Sequence, residues 1–121
     1  MTAGTEHAPY DPSLLPPVVT RYLDDHADAA HRDAVVALFA EDARVVDDGT
    51  EHRGIDAIRA WLAREASAYA FTVTPIGQRS EGDDRWVVLV RLEGTFPGGV
   101  VDLRYRAAVR DGRIADLVIA V

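Results

Sequence analysis

The sequence predicts an α+β domain, with helices gathered toward the start of the chain and a meandering antiparallel sheet at its end. Three observations carry this. Apolar residues recur at helical spacing from Pro16 to Ala40 and again from Ile55 to Leu62. Alternation of period two then runs through Arg85–Phe96, Val100–Arg110 and Arg113–Val121. Pro97-Gly98-Gly99 and Asp111-Gly112 divide those runs with turn chemistry. A parallel βαβ order would interleave helices with these strands, and none intervenes.

Residues 1–15 hold Pro9 and Pro12 with little apolar periodicity, and the expectation is a flexible arm preceding one domain over residues 16–121. Pro16 and Pro17 suit a helix start, where a missing N–H costs nothing. Val18, Tyr22, His26 and Ala29 then share one helical face, with Val19, Leu23 and Ala30 beside them. A second helix is expected over His31–Ala40, burying Ala34, Val35, Leu38 and Phe39. Ala43, Val45 and Asp47 lie on one side of a short strand that Asp48-Gly49 closes as a turn. Gly54 opens a third helix, in which Ile55, Ile58, Trp61, Leu62 and Glu65 lie close to one face. Phe71, Val73 and Ile76 mark a strand that Pro75 places at an edge or a bulge. In the next strand Trp86, Val88, Val90 and Leu92 face one way, Arg91 and Glu93 the other.

The chain has 121 residues, 48% of them apolar, with 20 acidic and 13 basic side chains and a formal charge of -7. That length suits one core, and that charge lacks the footprint of a protein that binds phosphate backbones, so no nucleic-acid partner is expected. There is no cysteine, which excludes disulfides, thiolate metal sites and a cysteine nucleophile. The longest central apolar run, Trp86–Val90, is far short of a membrane span, and the first fifteen residues carry no Arg or Lys. The expectation is a cytoplasmic protein without membrane contact. All basic residues are Arg, and Lys and Asn are absent, a usage that reads as a GC-rich coding genome.

The order helix, helix, short strand, helix, four strands, with Val35-Val36-Ala37-Leu38-Phe39-Ala40-Glu41-Asp42-Ala43 followed by Asp47 to Gly54 and Ala57-Ile58, resembles the nuclear-transport-factor-2-like superfamily. Its SnoaL-like polyketide cyclases and Δ5-3-ketosteroid isomerases are the most similar branch, over roughly residues 17–121. The resemblance implies a cone: three helices closing a curved, mostly antiparallel sheet around an apolar cavity, with the outer sheet face forming a homodimer. Independently, Arg91, Glu93, Asp102, Arg104 and Arg106 alternate on neighbouring strands and give one sheet face a charged ladder.

Asp47 is the sharpest candidate for chemistry. By resemblance it corresponds to the aspartate that moves a proton between substrate carbons in the isomerases, and a carboxylate in an apolar cavity gains proton affinity. The other reading is an Asx turn with Asp48 and Gly49. Tyr22, in Val18-Val19-Thr20-Arg21-Tyr22, matches the isomerase tyrosine that donates to the enolate oxygen, a neutral donor that favours the transition state. It equally fits a tyrosine completing a helix face.

The isomerases carry a second, protonated acid on the penultimate strand, and the nearest register here falls on Tyr105. Asp102 lies three residues away and by parity on the charged face, unless a bulge at Gly98-Gly99 brings Asp102 and Arg104 inward. Leu62 stands where those enzymes often place a supporting tyrosine. His52, in the loop before Gly54, is a candidate proton shuttle with Asp47 or an exposed loop residue. His26, one turn beyond Tyr22, is a candidate cavity residue or a core-edge histidine. Trp61 and Trp86 are the expected cavity walls, each on the apolar face of its element. Phe71, Phe96 and Tyr69 are further large apolar bodies.

No metal-ligand spacing and no phosphate-binding glycine loop occurs, so neither metal nor cofactor is expected. The expected ligand is small, largely apolar, and carries a carbonyl or hydroxyl. Two functional classes stand open: a cofactor-free isomerase, polyketide cyclase or dehydratase, and a non-catalytic ligand-binding or dimeric accessory protein.

Overall fold

Pro17 supplies the fixed φ of a first helical turn, and the nine-residue helix α1 (Pro17–Asp25) buries Val18, Val19, Tyr22 and Leu23. The computed structural model describes residues 7–68 and 70–121, and the side chains of all of these except residues 29 and 65–68. The expectations for Tyr69 and for the side chains of Ala29 and Glu65 lie outside the described residues.

After α1 the chain makes a single 3-10 turn at Ala29–His31 and a short helix α2 (Arg32–Val36). The helix expected to run to Ala40 thus stops four residues early. Phe39 and Ala40 belong instead to strand β1 (Phe39–Asp47), where Phe39 pairs with Ile114. Leu38 O already accepts the Ile114 N–H at 2.8 Å, so cross-chain pairing outcompetes another helical turn. Of the expected stripe, Val35 and Phe39 are buried, Leu38 is partly buried and Ala34 is exposed.

Asp48 (φ 51) and Gly49 (φ 78) form a two-residue hairpin turn with both central residues left-handed. This turn does not close the sheet edge but leads into a strand the sequence reading lacked, β2 (Thr50–Arg53). His52 is therefore a strand residue opposite Val45, and not part of a loop. Gly54 (φ 87) donates to Ala43 O at 2.8 Å and starts helix α3 (Ile55–Ala68).

Strands β3 (Phe71–Ser80), β4 (Arg85–Gly94), β5 (Val100–Arg110) and β6 (Arg113–Ala120) complete one six-stranded sheet. The order is β2-β1-β6-β5-β4-β3, antiparallel except for β1 against β6. Pro75 lies on edge strand β3 at a register shift before Gly77, where a missing donor is tolerated. The helices cover the inner face, and the core runs from Val19, Leu23 and Val35 to Ile58, Val88, Val90 and Leu117. Among the described residues no helix is long and apolar enough to cross a membrane.

The outer face carries the charged ladder. Arg91 forms a two-point pair with Asp102 at 2.8 and 3.0 Å, Arg106 pairs with Glu81 and Arg44 with Asp116. Residues 7–15 of the expected flexible arm are tied to the β3 edge. Ala8 exchanges both backbone hydrogen bonds with Gln78, and the buried Gln78 amide accepts from Asp11 N–H and donates to Asp11 O. Leu15 enters the core.

Candidate active site

Strand parity turns Ala43, Val45 and Asp47 toward the helices, and the first two are fully buried. Asp47 pairs with Ile119, and Ile119 with Tyr105, so these three side chains form one inward row across β1, β6 and β5. They bound a cavity of about 160 Å³. Tyr22 and His26 enter it from α1, Trp61 and Leu62 from α3. Phe71, Leu92, Phe96, Val101 and Leu103 finish the wall.

Trp61 donates its indole N–H to Asp47 Oδ2 at 3.0 Å, fixing one oxygen of the carboxylate. The Tyr22 ring, 2% exposed, stacks on His26 with centroids 4.5 Å apart and planes 7° from parallel. Their spacing of four residues puts the rings one above the other on the helix. Tyr105 lies 6.0 Å from Tyr22 and 5.6 Å from His26, and Phe71 lies 6.1 Å from His26. Packing among these rings removes water from the imidazole, and this desolvation lowers the His26 pKa from 6.5 to about 4. The ring is neutral near pH 7, and among the described residues its buried Nε2 has no hydrogen-bond partner.

Asp47, Tyr22, Trp61, Tyr105, His26 and Leu62 are thus brought together at one cavity. Trp86 and His52 are not among its lining residues. Trp86 faces inward as expected, but its row is Val45, Leu117, Ala107 and Trp86, one step along the sheet from the Asp47 row and filled by core packing. His52 lies behind Trp61, with ring centroids 5.9 Å apart, and so backs the wall instead of forming it. Asp102 and Arg104 are exposed on the outer face: Asp102 is paired to Arg91, which holds its carboxyl below the usual range, and Arg104 donates to Val121 O. No bulge interrupts β5 between Val100 and Ala108, so the parity is not flipped. The aliphatic wall residues Val101, Leu103 and Ile119 were not singled out from sequence. The signal for them was the same alternation that placed Tyr105 on β5. Among the described residues no three His, Asp or Glu side chains converge as a metal site.

A family model described as "SnoaL-like domain" matches residues 19–117. No curated protein matches the chain. Among solved structures, a provisionally assigned polyketide cyclase of Sinorhizobium meliloti is 34% identical, covers 92% of this chain and 100% of its own, and superposes with a TM-score of 0.84. The Δ5-3-ketosteroid isomerase of a Mycobacterium species is 25% identical over 88% of this chain and 94% of its own, with a TM-score of 0.70. Rv0760c of Mycobacterium tuberculosis, solved in complex with estradiol-17beta-hemisuccinate, is 21% identical over 86% and 90%, with a TM-score of 0.72. These likenesses match the α+β architecture and its mostly antiparallel sheet, and the family model spans most of the chain. The chain belongs to the family of SnoaL-like domains.

Proposed function

We propose that the chain performs cofactor-free acid–base chemistry (isomerisation, cyclisation or dehydration) on a small, largely apolar carbonyl compound. The single observation that carries this is the Asp47 carboxylate in an aromatic-walled cavity, oriented by Trp61 N–H and sharing that wall with Tyr22. Asp47 takes a proton from the carbon beside the carbonyl, and the Tyr22 hydroxyl donates to the oxygen as it gains enolate charge. Asp47 then returns the proton to the conjugate carbon. Trp61 holds the base in one orientation, so little reorganisation accompanies the transfer. The relatives named as cyclase and isomerase support this reading.

The cavity volume narrows the substrate. About 160 Å³ is close to the roughly 150 Å³ of an engineered cavity that holds benzene. A one- or two-ring ligand suits it better than a four-ring steroid. A suitable probe is 3-cyclohexen-1-one, whose conversion to the conjugated enone is followed by ultraviolet absorbance. Wild type should accelerate it, Asp47→Asn should lose roughly 10²-fold or more, and Tyr22→Phe should lose less. No acceleration, or an unchanged rate in Asp47→Asn, removes the reading.

The exposed Asp102 favours a second reading. With that acid paired on the outer face, Asp47 is, among the described residues, the one acidic side chain in the cavity wall, which also suits a non-catalytic protein that binds a small apolar molecule. In either case we propose a homodimer joined through the outer sheet face, where the ladder of Arg91, Asp102 and Arg106 offers polar, self-complementary contacts. Light scattering at gel filtration tests it: a dimer mass supports the proposal, and a monomer mass contradicts it.

A further inference from the structure

Among the described residues, five carbocyclic or indole rings line the cavity: Tyr22, Trp61, Phe71, Phe96 and Tyr105. Among the same residues, the acidic side chain of the wall is Asp47, and no arginine is part of it. The chain has no lysine. His26, the remaining basic group in the wall, is neutral near pH 7 because burial disfavours its cation. Among the described residues Asp47 enters no ion pair, whereas Asp42, Asp102 and Asp116 each hold an arginine. Its partner is the uncharged N–H of Trp61. Among the described residues, the wall therefore carries a carboxylate without a counter-ion, set among aromatic rings whose π-systems are electron-rich.

That combination selects a particular ligand. A cation over an aromatic face gains about 0.5–1 kcal/mol when exposed and about 2 kcal/mol when desolvated, and several aromatic rings line this cavity. A carboxylate partly withdrawn from water adds Coulombic attraction that a neutral ligand cannot return. A primary ammonium would leave strong hydration for a wall with few acceptors. A methylated ammonium carries a diffuse charge under an apolar surface and sheds its water more easily. The volume admits such an ion.

We propose that this cavity binds small methylated ammonium ions, with Asp47 as counter-ion and the Tyr22, Trp61 and Tyr105 rings as the cage. The proposal shares the cavity with the catalytic reading but does not rest on it, because a quaternary ion is held by a carboxylate that moves no proton.

Choline and its uncharged isostere 3,3-dimethyl-1-butanol test it by calorimetric titration near pH 7 and physiological salt. Wild type should bind choline about tenfold or more tightly than the alcohol. Asp47→Asn should abolish that preference and leave affinity for the alcohol within about threefold. Equal affinities in wild type, absence of choline binding, or a preference that survives Asp47→Asn each overturn the proposal. Should Asp47→Asn not fold, the wild-type ratio alone decides. Isomerisation of 3-cyclohexen-1-one is scored separately, so either reading can fail while the other stands.

Discussion

Trp61 Nε1 lies 3.0 Å from Asp47 Oδ2, joining helix α3 to the last residue of strand β1 at the cavity wall. The contact removes one degree of freedom from the carboxylate and gives the indole N–H the partner a buried tryptophan needs. Trp61→Phe keeps most of the apolar volume and deletes the donor. It should cost about 1–3 kcal/mol in urea unfolding, since hydrogen bonds to charged groups lie in that range. Loss of enone formation should accompany it. An unchanged midpoint and rate would show that the bond does not orient Asp47.

His26 makes stability depend on pH with a definite sign. Its pKa falls from 6.5 to about 4 because burial penalises the charged ring. Between those values the unfolded chain binds a proton that the folded chain refuses, so the folded state loses stability as pH falls from about 6.5 to about 4. The loss is complete below that window and absent above it, and amounts to about 3 kcal/mol at most. His26→Phe should reduce the drop in stability between neutral pH and about pH 4 by that order. Equal drops in the two proteins, measured by urea unfolding at each pH, would contradict a buried neutral ring.

Gly94 ends β4 against the start of β3. A Cβ there would stand 2.3 Å from Ala70 O and 2.7 Å from Phe71 Cβ, and backbone cannot yield as a flexible side chain can. Gly94→Ala should therefore destabilise by about 1–3 kcal/mol. Because Phe71 lines the cavity, ligand affinity should fall with it. A variant as stable as wild type would mean that the two strand ends separate freely.

Gln78 anchors the amino-terminal segment by two side-chain hydrogen bonds to Asp11 beside the backbone pair with Ala8. Gln78→Ala should speed hydrogen exchange at the Ala8 and Asp11 amides and cost about 1–3 kcal/mol. Unchanged exchange at both amides would show the strap to be held by backbone pairing alone.

The turns at Asp48-Gly49 and Asp111-Gly112 were legible because left-handed φ at both central residues demands such side chains. So was the inward parity of Asp47, shared with Ala43 and Val45. Strand β2 was not, since Thr50–Arg53 is polar, four residues long and mostly exposed, leaving no apolar alternation to read. Phe39 and Ala40 fit a helical stripe as well as a strand, and pairing with β6 decided between them. Trp86 shows the same limit at the site: period two fixes its face, but which row meets the cavity depends on how strands register after the fold closes.

The most direct measurement is a crystal structure of the protein with phenol bound, as a planar mimic of an enolate. The account predicts the phenol oxygen within about 2.7 Å of the Tyr22 hydroxyl and the ring edge against the Asp47 carboxylate. Phenol bound elsewhere, or an Asp47 side chain turned away from it into solvent, would contradict it.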